Sequence, residues 1–460
     1  MYSLVMRGWR VRFSSFGAVL VCGGCVEAGV PEVLSPVVFD TPPEFDAYFG
    51  DPHVHTGVSA DACSSDLDMP QTGCGAFATL ADSAAAAGLD WMAITDHVNG
   101  IGRRMDEGAA EVWRQTVDAA LAATEVLMLP GAEVELGVKG ASLGHRTLLF
   151  FDDTLEGVVR DDAALDGGAV EVASCAVVEA WAARLTEVIG PTLLVPHHPA
   201  ASSPMPTDWS CLTDLDAGVE VYSRWGNSMA VISAEEPFAL YDPIRGTGAD
   251  VTEVSGTVHE AVTSRSDHPL GFFAGSDQHH TRPGTSCAPE APHFYGGGVT
   301  GVLLPAGTPL GRTELWTAMV SRHTFATTGP LAAVSVAVFD PQGTYQGGMG
   351  DIISGNGAYT LRVSVADPET WDQEVTGVTA ILPVEGNPVG ELRSSLLRLE
   401  AGVYEGEVNV PQADAGGATA LYVEVAMDGL GAHPADCVDD AEDAPADSTE
   451  RLWMSPMWFE

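Results

Sequence analysis

The chain has 460 residues, of which 45% are apolar, and its 64 Asp and Glu residues against 20 Lys and Arg residues give a net charge of −44. This length allows two or three domains and a large core. A chain so acidic would repel both a nucleic-acid duplex and an anionic lipid surface, so neither is expected as an electrostatic partner. The 51 glycines and 29 prolines indicate many loops but exclude a collagen-like or low-complexity chain.

The first residues have the layout of a secretory signal peptide, because three arginines precede an apolar run over Phe13–Cys22. The run is too short to span a bilayer. The segment that ends at Cys25 resembles a bacterial lipoprotein box, which implies removal of residues 1–24 and acylation of Cys25. Cleavage after Ala28 is the alternative. We therefore expect an exported protein, anchored in the bacterial envelope by lipid or, alternatively, secreted, with a linker over residues 25–45.

From residue 46 the pattern alternates between short apolar strands and helices. The strands are predicted at Ala47–His55, Trp91–Thr95, Glu125–Leu129, Thr147–Phe151, Thr192–Val195, Gly218–Val221 and Gly271–Ala274. The helices are predicted at Ala76–Ala87, Ala109–Ala123, Val170–Val188 and Thr313–Val320. Such alternation indicates an α/β domain with parallel strands, either a barrel or a doubly wound sheet, over residues 46–330.

Beyond residue 330 the helices stop, and short strands follow one another at turn-like spacing. They are predicted at Val334–Phe339, Tyr359–Val365, Gly377–Leu382, Leu396–Leu399, Val403–Val410, Ala418–Val425 and Leu452–Phe459. This pattern favours a β-sandwich-like domain over residues 331–460.

Six cysteines remain after Cys22 and Cys25, and an even number in an exported chain suggests disulfides. Cys63 and Cys74 flank a short polar loop and are the pair that we predict. The other four are left unassigned, since six cysteines allow 15 pairings.

Histidines and carboxylates recur in or near the ends of the predicted strands. His53 and His55 are two residues apart on a strand, so both side chains leave the same face. The other members are Asp61, Asp96, His97, Glu133, His145, His197, His198, Glu220, Asp277 and His279. In a barrel of parallel strands such residues converge on one mouth. Imidazole with carboxylate suits zinc, manganese or iron, so the sequence predicts a metal site.

Five short motifs also carry a family resemblance. Phe49–Thr56 (FGDPHVHT), Thr95–His97, Gly131–Glu133, His198–Pro199 and Ser276–His279 resemble, in order, the motifs of the PHP (polymerase and histidinol phosphatase) superfamily. Tyr48–Asp51, Ala326–Pro330 and Ser455–Trp458 resemble its exported branch, domain of unknown function 3604. The resemblance implies a distorted seven-stranded β/α barrel that holds two or three divalent ions.

The resemblance also implies a ligand set. His53, His55, Glu133 and Asp277 would hold a first ion. Glu133 would bridge to a second ion held by His145 and His198. The third ion would be held by Asp61, His97 and His279. Independently of the resemblance, His197 and His280 neighbour ligands in the sequence, and either could be an outer-shell group instead. His53, His55, Glu133, Asp277 and His279 are the residues expected at the reacting centre.

These features together predict a metal-dependent hydrolase, a phosphoesterase that uses a metal-bridging hydroxide on a small phosphorylated substrate. Arg104, Arg146 and Arg224, with Arg103 beside them, lie near the predicted ligand strands and are candidates to bind the phosphate. Two alternatives remain open. The same cluster could hydrolyse an amide or a lactone, or the chain could be a non-catalytic binding protein that holds metal structurally.

Overall fold

A computed structural model describes eighteen segments of the chain. They are residues 41–56, 77–97, 122–123, 125–138, 141–152, 175–200, 206–223, 226–229, 241–242, 249–250, 256–278, 283–284, 297–366, 374–384, 391–400, 402–413, 417–428 and 450–460. Within them the protein is mostly β-sheet with few helices.

Seven of the twelve strands described in the first part overlap the predicted strands, and the other five were not predicted. Their bounds follow in chain order. Strands β1–β5 are Phe45–Val54, Trp91–Ile94, Leu127–Val138, Ala141–Phe150 and Thr192–His197. Strands β6–β12 are Gly218–Ser223, Gly226–Asn227, Tyr241–Asp242, Ala249–Asp250, Gly271–Ala274, Val299–Pro305 and Thr324–Thr327. The described helices are α1 at Phe77–Ala86, α2 at Cys175–Ile189, α3 at Val258–Ser264 and α4 at Arg312–Val320. The helix predicted at Ala109–Ala123 falls almost wholly outside the described residues.

The expectation of parallel strands is correct for only part of this domain. Strands β1, β2 and β3 are parallel, as are β6 and β10. Strands β3 and β4 are antiparallel, and so are β4 and β5. Only residues 139 and 140 separate β3 from β4, and a parallel pair would need a crossover connection of a dozen residues or more. The sequence therefore forms a hairpin here.

The predicted seven-stranded β/α barrel is also corrected, because the described strands do not close into a hydrogen-bonded barrel. The large sheet ends at β5, and β6, β7 and β10 form a separate sheet in the order β10-β6-β7. Single bridges, not ladders, link the two sheets, from Leu194 to Asp216 and from Val54 to Gln278. These bridges nevertheless bring the ends of β1, β5, β6 and β10 close together.

Helix α2 shows how the sequence fixes local structure. Its buried residues recur at helical spacing and face the sheet, and they are Val178, Trp181, Ala182, Leu185 and Ile189. The helix ends at Ile189, and the next residue, Gly190, has a φ of 90°, which suits glycine. A disulfide joins Cys175, the first residue of α2, to Cys211 in the 3₁₀ turn Trp209–Cys211. The predicted pair Cys63 and Cys74 lies outside the described residues.

The second part is β-rich, as predicted. Strands β13–β18 are Ala333–Phe339, Tyr345–Gly348, Ile352–Ile353, Gly357–Ala366, Val375–Pro383 and Glu391–Ser395. Strands β19–β23 are Leu397–Glu400, Val403–Val410, Thr419–Met427, Glu450–Met454 and Met457–Phe459. One sheet has the order β14-β13-β16-β20-β19. It shares a hydrophobic core with β17 and β21, so the two layers pack face to face.

The large sheet continues across residue 330, where the sequence places a domain boundary. Strand β12 pairs with β22, and β22 pairs with β21. Strand β21 is buried on both faces. Leu421 and Val423 on either side of Tyr422 join the sandwich core, whereas Tyr422 packs with Phe272 and Trp453 against the first part.

No helix in the described segments is long and apolar enough to cross a membrane.

Candidate metal centre

Two buried histidines at the end of β1 belong to a cluster of imidazole and carboxylate side chains. His53 lies in β1 and His55 directly follows its last residue, and both side chains are buried. Because alternate residues of a strand share a face, their rings come together, with 2.9 Å between the two Nε2 atoms. The Nδ1 atom of His53 lies 2.8 Å from the Thr147 hydroxyl of β4, which leaves Nε2 directed into the cluster.

Glu133 is the carboxylate around which the histidines gather. It lies within β3 and is buried. Its Oε2 atom is 3.2 Å from Nε2 of both His53 and His55 and 3.3 Å from Nε2 of His97. Its Oε1 atom is 2.5 Å from Nδ1 of His145 on the neighbouring strand. The two oxygens of one side chain therefore meet two different sets of imidazoles.

Asp277 closes the other side of the cluster. Its Oδ1 atom is 3.1 Å from Nε2 of His55 and 3.5 Å from Nε2 of His53. The residue has a φ of 49°, an uncommon backbone conformation for a non-glycine residue that is often held in place at functional sites. Gly275 permits the close approach of this turn, since a Cβ atom there would lie 2.8 Å from the Cβ of His53.

Asp51 connects the strand that carries His53 to the turn that carries Asp277. It is fully buried, and its Oδ1 atom accepts hydrogen bonds from the backbone N–H groups of His53 and Ser276. Its Oδ2 atom accepts one from Gly284. Burial raises the pKa of Asp51 to about 6, although these hydrogen bonds oppose the shift. The strand with His53 and the turn with Asp277 are thus held in register by one carboxylate.

Consecutive histidines at the end of β5 supply the remaining rings. His198 lies with Glu133 and His145 in one group of possible ligands, and its ring centroid is 4.9 Å from that of His145. The Nδ1 atom of His197 is 2.8 Å from Oε2 of Glu220, and its Nε2 atom is 3.5 Å from Oδ2 of Asp277. Both histidines therefore border the cluster.

The two histidines of the β1 segment have opposite pKa shifts. Burial and the neighbouring His197 lower the pKa of His53 to about 3. Burial also opposes a proton on His55, but hydrogen bonds to Asp277 and Glu133 outweigh it and raise the pKa of His55 to about 10. The two carboxylates therefore favour the protonated, positively charged form of the His55 ring. The cluster stabilises positive charge at its centre.

The carboxylate of Glu133 is stabilised in its ionised form. Burial by itself would raise its pKa, but His97, His145 and His53 together hold the pKa of Glu133 well below its usual range. A buried carboxylate that stays ionised among imidazoles has the chemistry of a ligand for a divalent cation.

Among the described residues, three groups of side chains have ligand atoms close enough together to hold a metal ion. They are His53, His55 and Glu133; Glu133, His145 and His198; and His53, His197 and Glu220, with the atoms of each group within 4.8 Å of one another. The donor set of imidazoles and carboxylates fits zinc, manganese or iron. Buried His and Glu side chains could therefore hold metal, which is the coarse form of the sequence prediction.

All of the predicted ligands that the structure describes come together here. His53, His55, His97, Glu133, His145, His198 and Asp277 all lie in or at the edge of the cluster. Asp61, His279, His280, Arg103, Arg104, Arg224 and Cys25 lie outside the described residues, so their predicted roles stay predictions.

Arg146 has a different place from the one its predicted role requires. It alternates with His145 and Thr147 along β4, so its side chain leaves the opposite face from the cluster. It is buried, and its Nε atom donates to Oδ1 of Asp216 at 3.0 Å. Its position gives no support to phosphate binding at this cluster.

The sequence pattern does not predict the supporting roles of Glu220, Thr147 and Asp51. Glu220 follows the pattern only as one of the recurring carboxylates. Its signal in the sequence is its placement, since it is a charged residue at the centre of the apolar strand β6. Charged residues are rarely buried unless they are paired.

Comparison with known proteins agrees with part of the family resemblance. Residues 42–136 match the family model described as "Protein of unknown function (DUF3604)". No curated protein matches the chain. Among solved structures, the chain is similar to PsfC from Pseudomonas syringae PB-5123, with 16% identity and a TM-score of 0.36. That similarity covers 61% of this chain and 91% of PsfC.

Proposed function

We propose that the protein is a metal-dependent hydrolase of the PHP type that cleaves phosphoesters at a site of two or three divalent ions. The observation that carries the proposal is the placement of Glu133. Its Oε2 atom contacts the Nε2 atoms of His53 and His55, and its Oε1 atom contacts Nδ1 of His145. A carboxylate shared in this way can bridge two ions that are about 3.5–4 Å apart, the spacing of sites for metal-assisted hydrolysis.

Divalent ions at such a site would lower the pKa of water to about 7 and offset negative charge that develops on a phosphoester. The protein side chains fix the geometry for this chemistry. Thr147 orients His53, and Asp51 keeps the turn with Asp277 against β1. Burial of these residues limits access of bulk water.

The partly exposed histidines indicate where a substrate would approach. The side chains of His97 and His145 are 21% and 14% exposed, whereas those of His53 and His55 are 1% and 0% exposed. The more exposed side of the cluster is therefore the side of His97, which follows β2, and His145 on β4. A small phosphorylated substrate would enter there.

The proposal is tested by metal analysis together with activity. We expect two or three Zn²⁺, Mn²⁺ or Fe²⁺ ions per chain in the purified protein. We expect hydrolysis of phosphomonoesters to disappear after chelation and to return when metal is added, with much lower rates on amides and lactones. Protein without bound metal that cannot be loaded, or hydrolysis that resists chelation, would contradict the metal-dependent mechanism. Preference for an amide or lactone would reject the phosphoesterase assignment.

A further inference from the structure

We propose that Glu220 is a positioning residue that turns both histidines of the 197–198 pair toward the candidate metal centre. The inference rests on the proposed metal-dependent function and adds a positioning role for Glu220, which the sequence shows only as one of the recurring carboxylates. Glu220 lies at the centre of β6, on the sheet that faces the end of β5.

Strand geometry alone would not bring His197 and His198 to the same cluster. Successive side chains of an extended strand point to opposite faces, so two adjacent histidines would not normally reach the same cluster. Strand β5 ends at His197, and the next residue, His198, has a φ of 31°. This change of backbone conformation brings the two ring centroids within 3.9 Å of each other. Because His198 is not a glycine, the surrounding structure must hold this conformation.

Glu220 supplies that support with both oxygens. Its Oε1 atom accepts a hydrogen bond from the backbone N–H of His198 at 3.1 Å. Its Oε2 atom lies 2.8 Å from Nδ1 of His197. The carboxylate is 3% exposed, so water does not provide a ready substitute for either contact. One side chain therefore fixes the backbone of the second histidine and the ring of the first.

The contacts of Glu220 also determine how the two histidine rings are placed relative to Asp277, Glu133 and His145. With Nδ1 held by Glu220, the Nε2 atom of His197 is directed toward Oδ2 of Asp277, at 3.5 Å. The ring of His198 is placed within the group formed with Glu133 and His145. A carboxylate behind an imidazole is the usual way in which proteins orient histidines at metal sites.

The same contacts argue that Glu220 acts from outside the coordination sphere. Both of its oxygens are already engaged by the 197–198 pair. Its approach to His53 is longer, at 3.9 Å, and is to Nδ1, the atom that also contacts Thr147. Glu220 is thus better placed to orient ligands than to be one.

The test is the substitution Glu220→Gln, which keeps the size of the side chain but replaces one acceptor oxygen by an NH₂ donor. The amide can accept from only one of its two partners, because its nitrogen would face either the N–H of His198 or Nδ1 of His197. We expect the full-length variant to bind Co²⁺ about 10- to 100-fold more weakly than the wild type, the usual effect of losing such support. We also expect altered visible absorption of the bound Co²⁺.

Glu424→Gln is the matched control, since Glu424 is a buried glutamate that contacts Arg451 and Trp453 away from the cluster. Both variants are first shown to be folded by circular dichroism and thermal unfolding. The control is expected to keep the Co²⁺ affinity and spectrum of the wild type even if its melting temperature falls. Loss of Co²⁺ affinity in both variants would show a general effect of destabilisation and would overturn the proposal.

The outcomes separate this inference from the proposed function. Failure of the wild-type protein to bind Co²⁺ would overturn both. Normal Co²⁺ binding by the wild type, with equal affinity and an unchanged spectrum in Glu220→Gln, would overturn the positioning role alone. A structure of the metal-loaded wild type with a Glu220 oxygen about 2.1 Å from an ion would make Glu220 a ligand and would also reject that role.

Discussion

At the scale of single residues, the cluster depends on side chains that serve more than one neighbour. Asp51 accepts three backbone hydrogen bonds from three separate segments. Glu133 meets two sets of imidazoles. Each of these two carboxylates makes contacts that would otherwise need several side chains. A substitution at such a residue is therefore expected to affect several parts of the site at once.

Glu133→Gln tests this expectation at the centre of the site. The amide keeps the volume of the side chain but loses the negative charge that the surrounding histidines stabilise. We expect the variant to lose metal at two positions together and to lose activity by more than the roughly 10- to 100-fold that is typical of outer-shell substitutions. Elemental analysis and phosphoester hydrolysis measure the two effects.

The exposed residue Glu187 on α2 supplies the matched control, Glu187→Gln, which should keep wild-type metal content. Unchanged metal content in Glu133→Gln would remove Glu133 as a bridge. Loss of a single ion would assign it to one position only.

Residue patterns in the sequence predict which side chains lie in the cluster better than they predict the contacts that orient those side chains. His53 and His55 were predictable because residues two apart on a strand share a face. His197 and His198 were not predictable as a pair that borders the same cluster, because the same rule places neighbours on opposite faces. The φ of His198 depends on a contact from Glu220, 22 residues away in the sequence. Such a contact has no local signal.

At the scale of elements, the hairpin of β3 and β4 explains how Glu133 and His145 meet. The sequence indicates only the apolar parts, Glu125–Leu129 and Thr147–Phe151, whereas the strands extend over Leu127–Val138 and Ala141–Phe150. The additional residues include Glu133 and His145, which face the cluster and so interrupt the apolar pattern. The hairpin places Glu133 opposite Thr147, two residue pairs away from the pair formed by Glu135 and His145, so Glu133 and His145 lie on the same face. Hydrophobic periodicity could not reveal this part of the sheet.

Asp90 carries a testable pH dependence at the junction of β1 and β2. Its Oδ2 atom accepts from the Phe49 N–H at 2.9 Å, and burial raises its pKa from 3.8 to about 6 despite that bond. The folded protein therefore binds this proton more tightly than the unfolded chain does. Stability from this group is present below about pH 3.8 and is lost as the pH rises to about 6.

Asp90→Asn removes this titration and keeps an oxygen for the Phe49 N–H. We expect the unfolding free energy of the variant relative to the wild type to increase between about pH 4 and pH 7, by up to about 3 kcal/mol. Urea unfolding across this range measures the difference, and Asp82→Asn at an exposed position of α1 is the control. A difference that does not vary with pH would contradict the raised pKa of Asp90.

At the scale of the whole molecule, the two parts are joined by a shared sheet and a shared core. Strand β12 of the first part pairs with β22 of the second. Trp453 and Trp458 are fully buried in a cluster that includes Phe272 from β10. The Nε2 atom of His259 on α3 lies 2.9 Å from the hydroxyl of Tyr422 on β21. These contacts indicate that the two parts unfold together.

Metal binding should therefore stabilise strands far from the cluster. At a free metal concentration 100 times the dissociation constant, binding to the folded state alone adds about 2.7 kcal/mol to the unfolding free energy. Because β21 is packed between the sandwich core and the first part, its slowly exchanging amides open only with the whole molecule in this view. We expect hydrogen exchange of both β1 and β21 to slow by about 100-fold when Mn²⁺ is added to chelator-treated protein. Slower exchange confined to β1 and its neighbours, with β21 unchanged, would show that the second part unfolds independently.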